Sequence, residues 1–164
     1  MNPNKAADPG LVYDMGTADY IHYLCAMEYN SSIITKLTGQ TTTCPGRKPS
    51  TLDINLPSIT IPNLKNSITL TRTVTNVGAS KSIYKAIVEP PFGVKVSVRP
   101  RVLVFNATSK KVSFRVTIST THQMNTGYYF GSLTWNDGFH AVRSPLSVRT
   151  DVLQSYFEIG RAHV

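Results

Sequence analysis

The chain has 164 residues, 41% of them hydrophobic, with 17 Lys and Arg against 9 Asp and Glu for a formal net charge of +8. That length fits one domain with an appendage, lets about two-thirds of the unfolded surface be buried, and with this apolar share excludes wholesale disorder. No run reaches the roughly 20 apolar residues of a membrane-spanning helix, so no membrane span is expected, and the opening Met1–Ala7 lacks the apolar core of a signal peptide.

Thr17 to about Leu37 reads as helix, because Ala18, Tyr20, Ile21, Leu24, Cys25 and Met27 recur at spacings of three and four. Asp14 or Thr17 is expected to supply the capping oxygen. Asn30-Ser31-Ser32 interrupts the helix and leaves a second short one through Ile33, Ile34 and Leu37. Gly39 to Ser50 is polar, holds Pro45, Gly46 and Pro49, and reads as a connecting loop.

After residue 50 the period becomes two. Strands are expected at 57–62, 67–76, 82–89, 94–99, 102–105, 111–119, 127–135 and 139–149. Val112, Phe114, Val116 and Ile118 alternate with Ser113, Arg115, Thr117 and Ser119, the pattern of an antiparallel strand with one buried face. Pro90-Pro91-Phe92-Gly93 and Arg99-Pro100-Arg101 punctuate the run. Asp137-Gly138 separates the last two strands and is the strongest hairpin signal. Seven or eight short strands over about 100 residues predict a mainly β fold, a sandwich of the immunoglobulin or fibronectin type III kind, preceded by a short helical segment. Val74, Val96, Val98, Phe114, Val116, Leu133 and Trp135 are its expected core, with Trp135 anchoring the end of the hairpin.

The charge is uneven. Residues 1–50 are balanced, whereas 51–150 hold twelve Lys and Arg against Asp53, Glu89 and Asp137 alone. A basic region invites a nucleic-acid reading. Here, though, the cations alternate with apolar residues, which sets Lys95, Arg99 and Arg115 on the solvent face of strands. No RNP-like aromatic motif, helix-turn-helix or zinc-finger spacing accompanies them, so no nucleic-acid partner is expected.

Catalytic chemistry is equally sparse. His22, His122, His140 and His163 are the only imidazoles, and none lies in a local motif that would mark a general base. No Gly-x-Ser-x-Gly elbow, Cys-x-x-Cys, His-Glu-x-x-His or phosphate-cradling glycine loop occurs. No catalytic, cofactor or metal residue is therefore expected. His22 and His140 read as surface or packing residues.

Asn30-Ser31-Ser32 and Asn106-Ala107-Thr108 are N-glycosylation sequons, so Asn30 and Asn106 are candidate modification sites. Cys25 and Cys44 are either a disulfide, worth about 3 kcal/mol in the chain-entropy model, or two buried thiols.

Several motifs together carry a family likeness. Asn2-Pro3-Asn4-Lys5-Ala6-Ala7-Asp8-Pro9-Gly10-Leu11-Val12-Tyr13-Asp14 resembles the segment closing the catalytic domain of plant subtilisin-like serine proteases. Asp19-Tyr20-Ile21-His22-Tyr23-Leu24-Cys25, followed by Cys44-Pro45, is similar to the helical linker of the same family. Leu56-Pro57-Ser58-Ile59, Thr71-Arg72-Thr73-Val74-Thr75-Asn76-Val77-Gly78, Gly93-Val94-Lys95-Val96, Phe130-Gly131-Ser132-Leu133-Thr134-Trp135 and Val142-Arg143-Ser144-Pro145 resemble its C-terminal fibronectin type III-like domain.

The resemblance implies that residues 1–16 are the C-terminal edge of a truncated peptidase domain, 17–50 a helical segment and linker, and 51–150 the sandwich. In the family the triad and the oxyanion-hole Asn precede this region, so none maps onto a residue here. Met1 is then an internal methionine of a secreted, cell-wall enzyme. The partner would be the absent catalytic domain, part of the same chain in the full-length protein. An apolar patch at Leu11, Val12 and Tyr13 is expected where that domain is missing. Asp151 to Phe157 reads as a short amphipathic stub, and Ile159 to Val164 resembles the translation of a sequencing adapter, so the tail 151–164 is either artefactual or a natural frayed end. The competing reading is a free-standing fibronectin type III-like interaction or inhibitor module.

Overall fold

The computed structural model describes residues 3–121 and 127–150. The expectations for 151–164, His122 and His163 lie outside the described residues. The change of period at residue 50 is a change of architecture. Before it come α1 (Pro3–Ala7), a two-residue strand β1 (Leu11–Val12), α2 (Thr17–Ala26), α3 (Ser31–Thr38) and a 3-10 turn at Thr51–Asp53. After it come β2 (Ile59–Leu64), β3 (Ser67–Asn76), β4 (Ser82–Glu89), β5 (Val94–Arg99), β6 (Val102–Phe105), β7 (Lys111–Thr120), β8 (Tyr129–Asn136) and β9 (Ala141–Thr150). The eight strands expected after residue 50 are present. The addition is β1, whose two residues are too short to show a period.

The helical segment breaks where Asn30 intervenes. Its side-chain oxygen accepts from Ile33 N at 2.9 Å and so starts α3. The cap of α2 differs from expectation. Gly16 occupies the cap position and its N–H donates to Asp19 at 2.8 Å, while Asp14 is drawn away to other partners. Cys25, near the end of α2, is disulfide-bonded to Cys44 in the following loop, with a Cα–Cα distance of 5.6 Å. That spacing is ordinary for a disulfide.

The strands form two sheets, in the orders β1-β3-β7-β5 and β2-β9-β8-β4-β6. Every pairing is antiparallel except β2 with β9, which run parallel. The hairpin at Asp137-Gly138 is a four-residue loop closed by Asp137 N donating to His140 O at 3.3 Å. Between the sheets lies one core. Val74, Val98, Phe114, Val116, Leu133 and Trp135 are buried in it, and Lys95, Arg99 and Arg115 stay exposed. Val96 is only half-buried, because β5 is the edge of its sheet and leaves that residue covered on one side. Trp135 meets Phe114 edge-on with ring centroids 5.0 Å apart, so it fastens sheet to sheet rather than the hairpin end.

Candidate functional site

The densest long-range chemistry lies where the N-terminal segment crosses the sandwich. It begins with Leu11, which is 2% exposed and inserted into the core. The apolar patch expected at Leu11, Val12 and Tyr13 is absent: Leu11 pairs with Asn76 and Val12 with Thr75, so β1 extends the first sheet. Burying a leucine recovers about 1.5–3 kcal/mol, which is the reason the segment folds back. Val77 N donates to Gly10 O at 2.9 Å.

Polar contacts then fix the segment on both sides. The Tyr13 hydroxyl and Ser144 Oγ share a hydrogen bond of 2.7 Å, and burial pushes the Tyr13 phenol above its ordinary value. Asp14 accepts from the Thr75 hydroxyl and pairs with Lys111 Nζ at 3.2 Å; these two contacts hold its carboxyl below the usual range. Asn55 bridges the segment to β3, donating to Asp14 O at 3.0 Å and to Thr73 O at 2.8 Å, and accepting from Thr73 N at 2.8 Å. Arg72, buried beneath, donates to the carbonyls of Leu56 (3.1 Å) and Leu52 (2.9 Å). Its guanidinium thus holds the 3-10 turn against β3. Burial draws its pKa below the ordinary guanidinium value.

The centre of the site is His140, in the β8–β9 loop. Nδ1 meets Asp137 at 2.8 Å and Nε2 meets Asp8 of the segment at 3.1 Å. The Asp137 bond, then the Asp8 bond, raise its pKa, against an opposing effect of burial. Burial alone would raise the Asp137 carboxyl, but bonds from the His140 ring and from the backbone N–H groups of His140 and Phe139 outweigh it and hold it at about 2. Tyr84 lies beside the imidazole, its hydroxyl enclosed without a hydrogen bond of ordinary geometry, and burial pushes its pKa far up. Gly10 passes directly over this pair. A Cβ there would lie 2.6 Å from Tyr84 Oη and 2.8 Å from His140 Cγ. The arrangement is a carboxylate–imidazole–carboxylate clamp, suited to holding a segment rather than to activating a nucleophile.

The remaining candidates take no part in the clamp, although Asn106 lines one cavity with Asp137 and His140. Asn30 and Asn106 are exposed, at the start of α3 and in the turn after β6. His22 is exposed on α2. Among the described residues no cluster of His, Cys, Asp and Glu suits a metal ion, and no helix is long and apolar enough to cross a membrane. From the sequence His140 is legible only as a surface or packing histidine. Its one sequence signal is its position directly after a hairpin turn that also carries an aspartate.

A family model described as fibronectin type-III domain matches residues 53–148, the stretch that forms the sandwich. The chain belongs to the fibronectin type-III domain family. Its likeness to known proteins extends beyond that domain into the helices and the N-terminal segment. It is 63% identical to subtilisin-like protease SBT3.3, 61% to SBT3.6 and 59% to SBT3.8, all of Arabidopsis thaliana, over 158 residues in each case. These alignments take in 96% of this chain and 20% of each relative, so the chain spans about a fifth of the length of the curated proteins it matches. The resemblance read from the motifs is thereby shown. Among solved structures, a family 123 glycoside hydrolase from Clostridium perfringens reaches a TM-score of 0.45 at 11% identity, covering 85% of this chain and 27% of that one, too slight a likeness to bear on function.

Proposed function

We propose that the chain is the C-terminal, non-catalytic part of a secreted subtilisin-like serine endopeptidase, and that its fibronectin type-III domain stabilises the catalytic domain. The observation that carries the reading is the grip on residues 8–14. The segment that resembles the end of a peptidase domain is a strand of the sandwich sheet, pinned by Gly10, Leu11, Tyr13 and Asp14. A sandwich that holds that segment resists fraying at the domain's end. The Asp, His and Ser of the reaction belong to the rest of such a protein. The Cys25–Cys44 bond suits an oxidising compartment, and with it goes N-glycosylation of Asn30 and Asn106, both exposed.

The covering of Leu11 and Tyr13 also favours a second reading, a self-contained interaction or inhibitor module, because the fold completes its own core. One experiment separates the two. The catalytic part of a plant subtilisin-like protease is mixed with this chain at micromolar concentration, and the half-life of peptide hydrolysis is followed at elevated temperature. The first reading expects a longer half-life and co-elution. Inhibited turnover supports the second, and no binding with an unchanged half-life overturns the first and favours the second as an interaction module.

A further inference from the structure

We propose that the first N-acetylglucosamine on Asn106 packs its apolar face on Phe139 and closes the groove between strands β4 and β6 and the β8–β9 loop. The proposal rests on the reading that Asn106 is glycosylated, and goes beyond it by assigning the sugar a place on the protein.

The groove is open and apolar where a sheet edge meets a loop. Ile83 of β4 and Val104 of β6 are register partners whose side chains point outward, 54% and 56% exposed. Phe139, in the β8–β9 loop, is 92% exposed. These three, with Lys81 and Asn106, line a cavity of about 620 Å³. An exposed phenylalanine beside two exposed aliphatic residues, one of them Val104 on the edge strand β6, is a liability for association unless something covers it.

Asn106 is built to supply that cover. It follows the end of β6 directly, and its Oδ1 accepts three bonds: from Thr108 N at 3.0 Å, Thr108 Oγ1 at 2.8 Å and Ser109 N at 2.8 Å. The backbone closes the same turn through Asn106 N donating to Ser109 O at 3.3 Å. With the carboxamide fixed by its oxygen, Nδ2 is left with no hydrogen bond among the described residues. In the transfer, Nδ2 bonds to C1 of the sugar, the C1–O bond to a lipid-linked pyrophosphate donor breaks, and one amide proton leaves with the pyrophosphate. The pyranose so attached starts on the rim of the groove. Its C–H face complements the aromatic ring, and its hydroxyls remain in water. The catalytic domain of a protease is the competing occupant.

The test uses the full chain secreted from plant cells behind a cleavable leader, with Asn30→Gln so that a single sequon remains. Mass analysis reads occupancy. The glycan is then trimmed to one N-acetylglucosamine, and the product is compared with Asn106→Gln by thermal unfolding and binding of an apolar dye. The expected result is a midpoint about 2–4 °C higher and weaker dye binding for the trimmed form. Phe139→Ala, at an exposed position that the fold does not need, erases both differences. An unoccupied Asn106 overturns the glycosylation reading and this proposal with it. Occupancy with equal midpoints and dye binding overturns the packing alone, as does a difference that survives Phe139→Ala.

Discussion

Two glycines offer a controlled measure of how tightly the N-terminal segment is keyed into the sandwich. Gly10 and Gly39 share nearly the same backbone, φ +73° and +69°. Their surroundings are opposite. Nothing lies within 4 Å of a Cβ built at Gly39, whereas one at Gly10 meets Tyr84 Oη at 2.6 Å, His140 Cγ at 2.8 Å and His140 Cβ at 3.0 Å. Alanine at either site carries the left-handed penalty of about 1–2 kcal/mol. It also restricts the unfolded chain by about 0.4–1 kcal/mol in the other direction, equally at both sites. Only Gly10→Ala adds overpacking, at about 1–3 kcal/mol, against a ring wedged between Asp8 and Asp137. Urea unfolding followed by Trp135 fluorescence is expected to show Gly10→Ala as the costlier substitution by that margin. If the strain exceeds what holds the segment, the segment lifts off instead. Amide exchange at Val77, which donates to Gly10 O, then rises well above wild type while Trp135 stays buried. Equal costs for the two alanines, with unchanged exchange at Val77, would refute the reasoning.

Three further outcomes follow from other parts of the molecule. Trp135→Ala is expected to destabilise by about 3–5 kcal/mol, because a fully buried ring is removed from contact with Phe114; a midpoint drop below about 5 °C in thermal unfolding contradicts that. Reducing the Cys25–Cys44 bond should cost about 3 kcal/mol, confined to α2, α3 and their loop, so far-UV circular dichroism loses helix while the near-UV signal of Trp135 persists; simultaneous loss of both signals contradicts the confinement. The clamp should also set a pH window. His140 is raised above 6.5, so its contribution is complete below that value and fades as pH rises through the higher folded value; Asp137 is held at about 2, so its contribution is complete above 3.8 and fades as pH falls through about 2. Between those limits the segment is held best. Exchange at Val77, corrected for base catalysis, should quicken toward alkaline pH in wild type and lose that dependence in His140→Gln.

What the sequence made legible was local. The period of two through Val112–Ser119 needs only neighbouring residues to be read, and Asn30 caps a helix three residues away. β1 offered no period because it is two residues long, and its partner Asn76 is remote in the chain. The parallel pairing of β2 with β9 left no mark, since either strand would alternate in the same way beside an antiparallel neighbour. The clamp was the least legible of all. Asp8, Gly10, Tyr84 and His140 are ordinary residues taken singly, and what distinguishes them is convergence from three distant parts of the chain. The expected exposure at Leu11 failed for the same reason. A segment that resembles another domain's edge is expected to lie open where that domain is missing, while its burial depends on a sheet edge that only the folded sandwich presents. Leu11 fills the core, Gly10 leaves room for Tyr84 and His140, and Tyr13 reaches Ser144 on the opposite sheet. Three kinds of contact, none of them periodic, thus make that segment a structural strand of the sandwich.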